Sequence, residues 1–327
     1  MGSPLSVIWL ASTMLRSKHL PVNGRRCFAA LLCAAALLLG VSSASAAPAA
    51  NAEATLHVRY PYNLSTDAVY ARRLEYIKAL LPLVLDHSGR TYTLEPVPIQ
   101  TVTGTRNSRN LLSGYYDVSW LNTNITREQE LLPIRIPLFK GIIGWRLLLI
   151  HNQDQPRFSA VKALAPLKAL RAGAGHDWPD AELLASQGFT LQTSANRDSL
   201  INMLAAKRID YFPRSVIEAY EELDMYRKKH IEVEQSLAVV YPSAYYFFVA
   251  PDNQALADAL TAGLEAIIAS GDFEQLFKRF YHDSIARANL SKRLILPLDN
   301  PLLSRETPLE RTELWFSPLP AMPSGLH

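Results

Sequence analysis

Two apolar stretches broken by prolines, IPLFKGIIGWRLLLI (136–150) and LAVVYPSAYYFFVAP (237–251), are widely separated in this chain. Each combines strand-forming residues with a turn signal, at Pro137 and the following glycines in one and at Pro242 in the other. Strand and helix patterns alternate both before the first stretch and between the two. A chain built this way can make one α/β layer, cross out of it, build a second and return.

The first layer opens with TLHVRYPYN (55–63), whose alternation and β-branching predict a strand that Pro61 ends. The segment STDAVYARRLEYIKALLPLVLDHSG predicts a helix capped by Ser65 or Thr66 and stopped by Gly89, with Leu74, Ile77, Leu80, Leu81 and Val84 at helical spacing. TYTLEPVPI predicts a second strand. SRNLLSGYYDVSW predicts a short helix, a glycine break and a strand centred on Val118.

In the second layer LKALRAGAG (167–175), FTLQTS and IDYFPRS read as strands. WPDAELLASQG, NRDSLINMLAAKR and VIEAYEELDMYRKKH read as helices, the first with Pro179 in its opening turn. Two amphipathic helices, NQALADALTAGLEAIIASG and FEQLFKRFYHDSI, follow the return crossing. The tail from Leu294 has prolines at 297, 301, 308, 318, 320 and 323, which predicts sparse regular structure, with Trp315 and Phe316 pinning it to the body.

The beginning of the chain belongs to neither layer. Arg16, Lys18, Arg25 and Arg26 precede the apolar run CFAALLCAAALLLGV (27–41), and SSASAAPAA follows it. This order reads as a secretory signal, residues 1–46, cleaved near Ala46 to release the protein into the periplasm. Cys33 sits inside the apolar run, so a lipid anchor is not expected. Cleavage removes Cys27 and Cys33, the chain's two cysteines, and a domain exported without disulfides must hold by packing. Four Lys/Arg and no Asp/Glu precede residue 47, so the formal charge of +3 becomes −1, which gives no reason to expect a nucleic-acid surface. At 327 residues, 49% hydrophobic, there is ample material for two lobes.

No motif in the chain carries catalysis: GxSxG, HExxH, GxxxxGK[ST] and GxGxxG are missing from the sequence, and AGAG at 172–175 is too short to bind a dinucleotide. His57, His87, His151, His176, His230, His282 and His327 have no metal spacing, so neither metal nor cofactor is expected. His176 and Asp177 follow a predicted strand, where α/β layers take ligands, although adjacent side chains often point apart and a helix cap accounts for them more simply. Trp120, Asn122 and Asn124 follow the strand expected to end near Ser119. They suit a pocket wall, and the asparagines also suit turn caps. Tyr60 and Tyr62 hold the same position on the first strand. Arg214 can bind an anion or pair with Glu218 one helical turn on.

Several stretches, in this order, resemble the periplasmic solute-binding proteins of the polar amino acid type (family 3). They are LHVRYPYN, LLSGYYDVSWLNTNITREQELLPIRIPLFKG, NRDSLINMLAAKRIDYFPRS and ALTAGLEAIIASGDFEQLFKRFY. The resemblance covers roughly residues 55–283. It implies an α/β, two-lobed periplasmic binding protein fold of type II, with a discontinuous first lobe (55–145 and 245–290), an inserted second lobe (146–244), a hinge of two crossings and a tail over 291–327.

The resemblance also places a ligand turn at Leu121–Gln129. Asn122 and Asn124 fall at contact positions and Thr126 keeps the family threonine. Gln129 stands where members have the arginine that clamps an α-carboxylate, and Ser215 where they have the aspartate that takes the α-ammonium. Neutral Gln cannot replace a bidentate ion pair. The ligand is therefore either not an ordinary α-amino acid or held by other groups, with Arg127, Arg146 and Arg214 as candidates for a displaced anion contact. The expected function is capture of a small polar solute by a monomer for an inner-membrane ABC permease. The alternative is a stand-alone sensing or degenerate module serving a sensor protein. An enzyme is not expected.

Overall fold

The computed structural model describes residues 54–63, 68–100, 103–226 and 229–318. The expected export segment, its two cysteines and the helix-cap candidates Ser65 and Thr66 lie outside the described residues.

The first lobe contains β1 (Leu56–Asn63), α1 (Ala68–Asp86), β2 (Tyr92–Ile99), α2 (Gly104–Leu112), β3 (Val118–Asn122), α3 (Ile125–Glu130) and β4 (Leu132–Ile134). The chain comes back to it with β11 (Tyr245–Val249), α9 (Gln254–Ser270) and α10 (Asp272–Ala288). β1 and β2 run parallel, with Leu56 opposite Tyr92 and Asn63 opposite Ile99. β11 lies antiparallel between β3 and β4. Asp117 stitches the two parts together: its N–H donates to the Arg59 carbonyl at 2.9 Å, and its carboxylate accepts from the Arg59 backbone and guanidinium. β1 continues through Pro61, which sits opposite Val97, so the expected break at this proline does not occur. A proline is tolerated in a strand wherever the ladder needs no donor from that residue.

The second lobe contains β5 (Trp145–His151), α4 (Gln155–Ser159), α5 (Leu164–Lys168), β6 (Arg171–Gly175), α6 (Pro179–Ser186), β7 (Thr190–Ser194), α7 (Arg197–Ala205), β8 (Tyr211–Ser215), α8 (Ala219–Met225), β9 (Ile231–Val233) and β10 (Leu237–Val240). Its strands follow the order β10-β5-β8-β6-β7, with β9 also on β5. The strand expected over LKALRAGAG starts only at Arg171, and its first residues close α5. The reason is local. Ala169 N–H bonds the Ala165 carbonyl and Leu170 N–H the Leu167 carbonyl, while the Asp210 carboxylate fixes Arg171 through its N–H at 2.7 Å.

β5 shows how the second lobe is packed. Leu147 and Leu149 enter a core that continues into the first lobe, while Leu148 and Ile150 enter a second core on the opposite face. This is the period-2 alternation of a sheet covered on both sides.

Two crossings connect the lobes. The outgoing one turns at Lys140 and Gly141, both left-handed (φ 48° and 67°), and passes through a short 3-10 turn over Ile142–Gly144. The returning one runs beside it, and Tyr241 N–H donates to the Gly144 carbonyl at 3.2 Å. A Cβ on Gly144 would collide with the Tyr241 carbonyl oxygen, so only glycine allows this approach.

The tail is more ordered than its prolines predict. β12 (Leu294–Pro297) pairs in parallel with β10 of the second lobe. Leu298 N–H then bonds the Val240 carbonyl. The segment runs back to the outgoing crossing, where Leu314 is fully buried and the Phe316 ring meets Trp145, the first residue of β5, edge-on at 5.6 Å.

Candidate functional site

The place to look for a site is where the ends of β3, the start of α6 and the returning crossing converge. Asn122, Thr123 and Asn124 face Pro179, Asp180 and Leu183 there, with Tyr241 and Ser243 behind and Asn300 and Leu302 of the tail alongside. Both lobes, the hinge and the tail therefore line one cleft. Between these side chains is a space of about 10 Å³, room for one water at most.

Charge fills the interior beside it. Arg214 makes two bonds of 2.6 Å to Glu222 and reaches Glu218 at 3.0 Å, so the pairing with Glu218 raised as one reading of Arg214 is present. Its guanidinium also lies 4.7 Å from the Trp178 ring centre. Arg146 donates to Asp180 at 2.7 Å and lies 3.9 Å from Glu218. Tyr241 donates to the same Asp180 oxygen at 2.7 Å. Arg73, on α1 of the first lobe, reaches Glu218 at 3.3 Å, and its neighbour Arg72 reaches Glu221 at 2.6 Å. Tyr220 bonds the Arg287 carbonyl of α10. The network thus crosses from lobe to lobe.

Burial sets the electrostatics of this cluster. Burial alone would raise the Glu218 carboxyl, but Arg214, Arg73 and Arg146 outweigh it and hold it at about 2. Burial wins at Glu222, whose carboxyl is raised despite Arg214. Burial would also lower the Arg214 guanidinium, but Glu218 and Glu222 raise it. These charges are buried in pairs, as isolated ones would cost several kcal/mol each.

The residues singled out from the sequence divide into several environments. Asn122 lines the cleft and donates to Ser243 Oγ at 3.0 Å. Asn124 lines it too, while its side chain caps α3 by accepting from Arg127 N–H at 2.8 Å. Thr126 and Gln129 are exposed on α3. Arg127 is half-buried and turned inward, donating to the Asn122 carbonyl and, at 3.4 Å, to Ser108 Oγ. Burial lowers its pKa, against the smaller opposing pull of Tyr245 and Glu130. Ser215 is fully buried and donates to the Ile142 carbonyl at 3.2 Å. His176 and Asp177 are exposed, with His176 Nδ1 3.4 Å from the Ser194 carbonyl. Tyr60 and Trp120 pack against the main core, and Tyr62 lies under Lys78 at 5.6 Å.

Sequence reasoning missed Asp180, Tyr241, Glu222, Arg73, Asn300 and Leu302. Asp180 and Glu222 were legible only as acids in the first turns of helices. Nothing local marks Arg73 or Leu302, whose neighbours in the fold are far away in the chain. No group of His, Cys, Asp and Glu suited to a metal occurs among the described residues.

Comparison with solved structures places this arrangement. The probable amino-acid ABC transporter extracellular-binding protein ytmK from Bacillus subtilis matches with a TM-score of 0.53 and 14% identity, over 69% of this chain and 98% of that one. The BvgS periplasmic VFT2 domain of Bordetella pertussis matches with a TM-score of 0.51 and 17% identity, over 68% of this chain and 93% of that one. An ancestral arginine-binding protein bound to glutamine matches with a TM-score of 0.51 and 13% identity, over 69% and 97%. No family model and no curated protein matches the chain. Identities this low carry the fold alone, and that fold is the two-lobed α/β architecture of periplasmic binding proteins, type II.

Proposed function

We propose that the mature chain is an exported relative of the polar amino acid type of binding protein, and that it acts in the periplasm in its closed form as a stand-alone sensing module. Its partner on this reading is a membrane protein that recognises the closed pair of lobes. The observation that carries the proposal is the interlobe ion network. Arg146 and Arg214, two of the arginines suited to an anion, already hold Asp180, Glu218 and Glu222. A zwitterion needs one fixed cation and one fixed anion within reach. Gln129 is exposed and Ser215 is committed to the Ile142 carbonyl, so neither position supplies one. Opening the cleft would also separate Arg73 from Glu218. Catalysis plays no part in this proposal.

A second reading is capture of a small polar solute, by a monomer, for an inner-membrane ABC permease. The polar wall of Asn122, Asn124 and Asp180 favours it, together with the inward-turned Arg127. ytmK, similar in fold, bears the name of such a binding protein.

Thermal-shift screening of the mature protein against amino acids, opines, organic acids and short peptides separates the two, combined with small-angle scattering. A solute present at a hundred times its Kd stabilises by about 2.7 kcal/mol, which is readily seen. The closed-module reading expects a compact particle without additive and no stabilising solute. A solute that both raises Tm and contracts the particle would sink it and support the second reading.

A further inference from the structure

The tail makes a set of contacts that neither reading uses. After β12 it leaves the second lobe and enters the cleft lining. Asn300 Nδ2 donates to the Pro242 carbonyl of the hinge at 2.8 Å. Ile125 N–H, at the turn where the family resemblance places a ligand, donates to the Leu302 carbonyl at 3.1 Å. Further on, Glu306 meets Arg135 at 2.7 Å, and Arg311 grips Glu265 of α9 with bonds of 2.6 and 2.9 Å. The segment ends on the outgoing crossing. Lys140 Nζ donates to the Glu313 carbonyl at 2.8 Å, and Phe316 N–H donates to the Lys140 carbonyl at 2.6 Å. The Trp315 ring lies so close to Gly141 that a Cβ there would overlap it.

The order of these contacts matters. The same short segment is fixed to the second lobe at β10, to the hinge at Pro242, to the first lobe at Ile125 and Glu265, and to the left-handed turn at Lys140 and Gly141. Separating the lobes by rotation about the crossings requires movement at that turn and between Ile125 and β10. The strap opposes both movements.

We propose that residues 298–316 are the cleft's ligand in cis: a turn-rich peptide strap, carried by the chain itself, that borders the cleft at Asn300–Leu302 and locks the hinge at Trp315. The proposal rests on the closed-module reading and gives its closure a cause. The chemistry that the cleft edge recognises is a backbone turn at Asn300–Leu303 offering the Leu302 carbonyl to Ile125 N–H. The Asn300 amide and the Trp315 indole ring add contacts at the hinge, and Glu306 and Arg311 add ion pairs to the first lobe.

The test uses the mature protein ending at Asp299, which keeps β12, and a fluorescent peptide of residues 300–318. The expected result is a truncated protein with a cooperative melt, a larger scattering radius than the full-length protein, and saturable one-to-one binding of the peptide that restores the compact radius. Full-length protein should not bind the peptide. A truncated protein that stays as compact as the full-length one and ignores the peptide overturns the proposal.

A second arm keeps the question decidable if the truncated chain does not fold. A full-length chain starting at residue 47 has no cysteine of its own. Ile125→Cys with Leu302→Cys should then be bridged nearly completely by a short bis-maleimide in the folded state, and negligible bridging overturns the proposal. A solute that stabilises the full-length protein would defeat the closed-module reading, whereas failure of truncation, peptide and bridging together would defeat the strap alone.

Discussion

Arg73 on the first lobe and Glu218 on the second stand 3.3 Å apart, so an ion pair joins one lobe directly to the other. Arg214 and Arg146 approach the same carboxylate from the second lobe at 3.0 and 3.9 Å. Three guanidinium groups thus converge on one acid that is almost wholly buried, although Arg214 and Arg146 also hold Glu222 and Asp180.

Removing that acid should be far worse than removing the first-lobe cation. Glu218→Ala strands buried positive charge and is expected to cost about 3–5 kcal/mol in urea unfolding. Arg73→Ala, at the better-solvated end, should cost about 1 kcal/mol or less. Equal losses for the two variants would contradict the account of the network.

Acid should weaken the same network. The folded carboxyl of Glu218 is held at about 2, below its ordinary value of 4.5. The unfolded chain therefore binds the extra proton first, and stability rises with pH across that interval. The contribution is fully present above 4.5 and is lost as pH falls towards 2. Glu222, raised by burial, acts with the opposite sign, so the useful comparison is with a single variant. Thermal melts should show a steeper fall between about pH 5 and about pH 3 in the native protein than in Glu218→Gln.

Gly141→Ala should be disproportionately harmful. Its backbone is left-handed and its Cβ would enter the Trp315 ring. Strain of this kind costs on the order of 1–3 kcal/mol before the ring moves. The expected signature is a lowered Tm together with a red-shifted tryptophan emission, since a displaced Trp315 meets more water. A lowered Tm without a spectral change would leave the strain but remove the clamp.

Gln129→Arg alone should not produce tight amino-acid binding. The new guanidinium would start from an exposed helix face, and Ser215 would still be bonded to Ile142 with no acid for an ammonium. Titration calorimetry should detect nothing stronger than about 1 mM, or roughly −4 kcal/mol. Micromolar binding would refute the idea that both charges are needed.

Much of the architecture could be read from pattern. The periodic apolar residues of α1, the strand-forming run of β5 and Pro179 in the opening turn of α6 are local signals, and these elements form there. Local signals failed at Pro61, where partner geometry decides, and at Leu167–Leu170, where turn hydrogen bonds outcompete strand propensity. The site was harder to read. Asn122 and Asn124 do border the cleft, but they could be found because they follow a strand. Arg73 meets Glu218, and Leu302 meets Ile125, across distances in sequence that no spacing rule spans. Sequence charge says that an arginine needs a partner, and only the fold says which one.

The bond from Lys140 to Glu313 joins residues 173 positions apart. Closing so long a loop is entropically costly and is not repaid until both its ends are ordered. Much of the second lobe can take shape from contacts within one stretch of chain, the first lobe waits for β11, α9 and α10, and the Trp315 clamp comes later than both. The fold thereby acquires a direction in time. On the strap proposal, a polypeptide clipped before Asn300 would hold its two lobes on a looser joint than one that keeps residues 300–316.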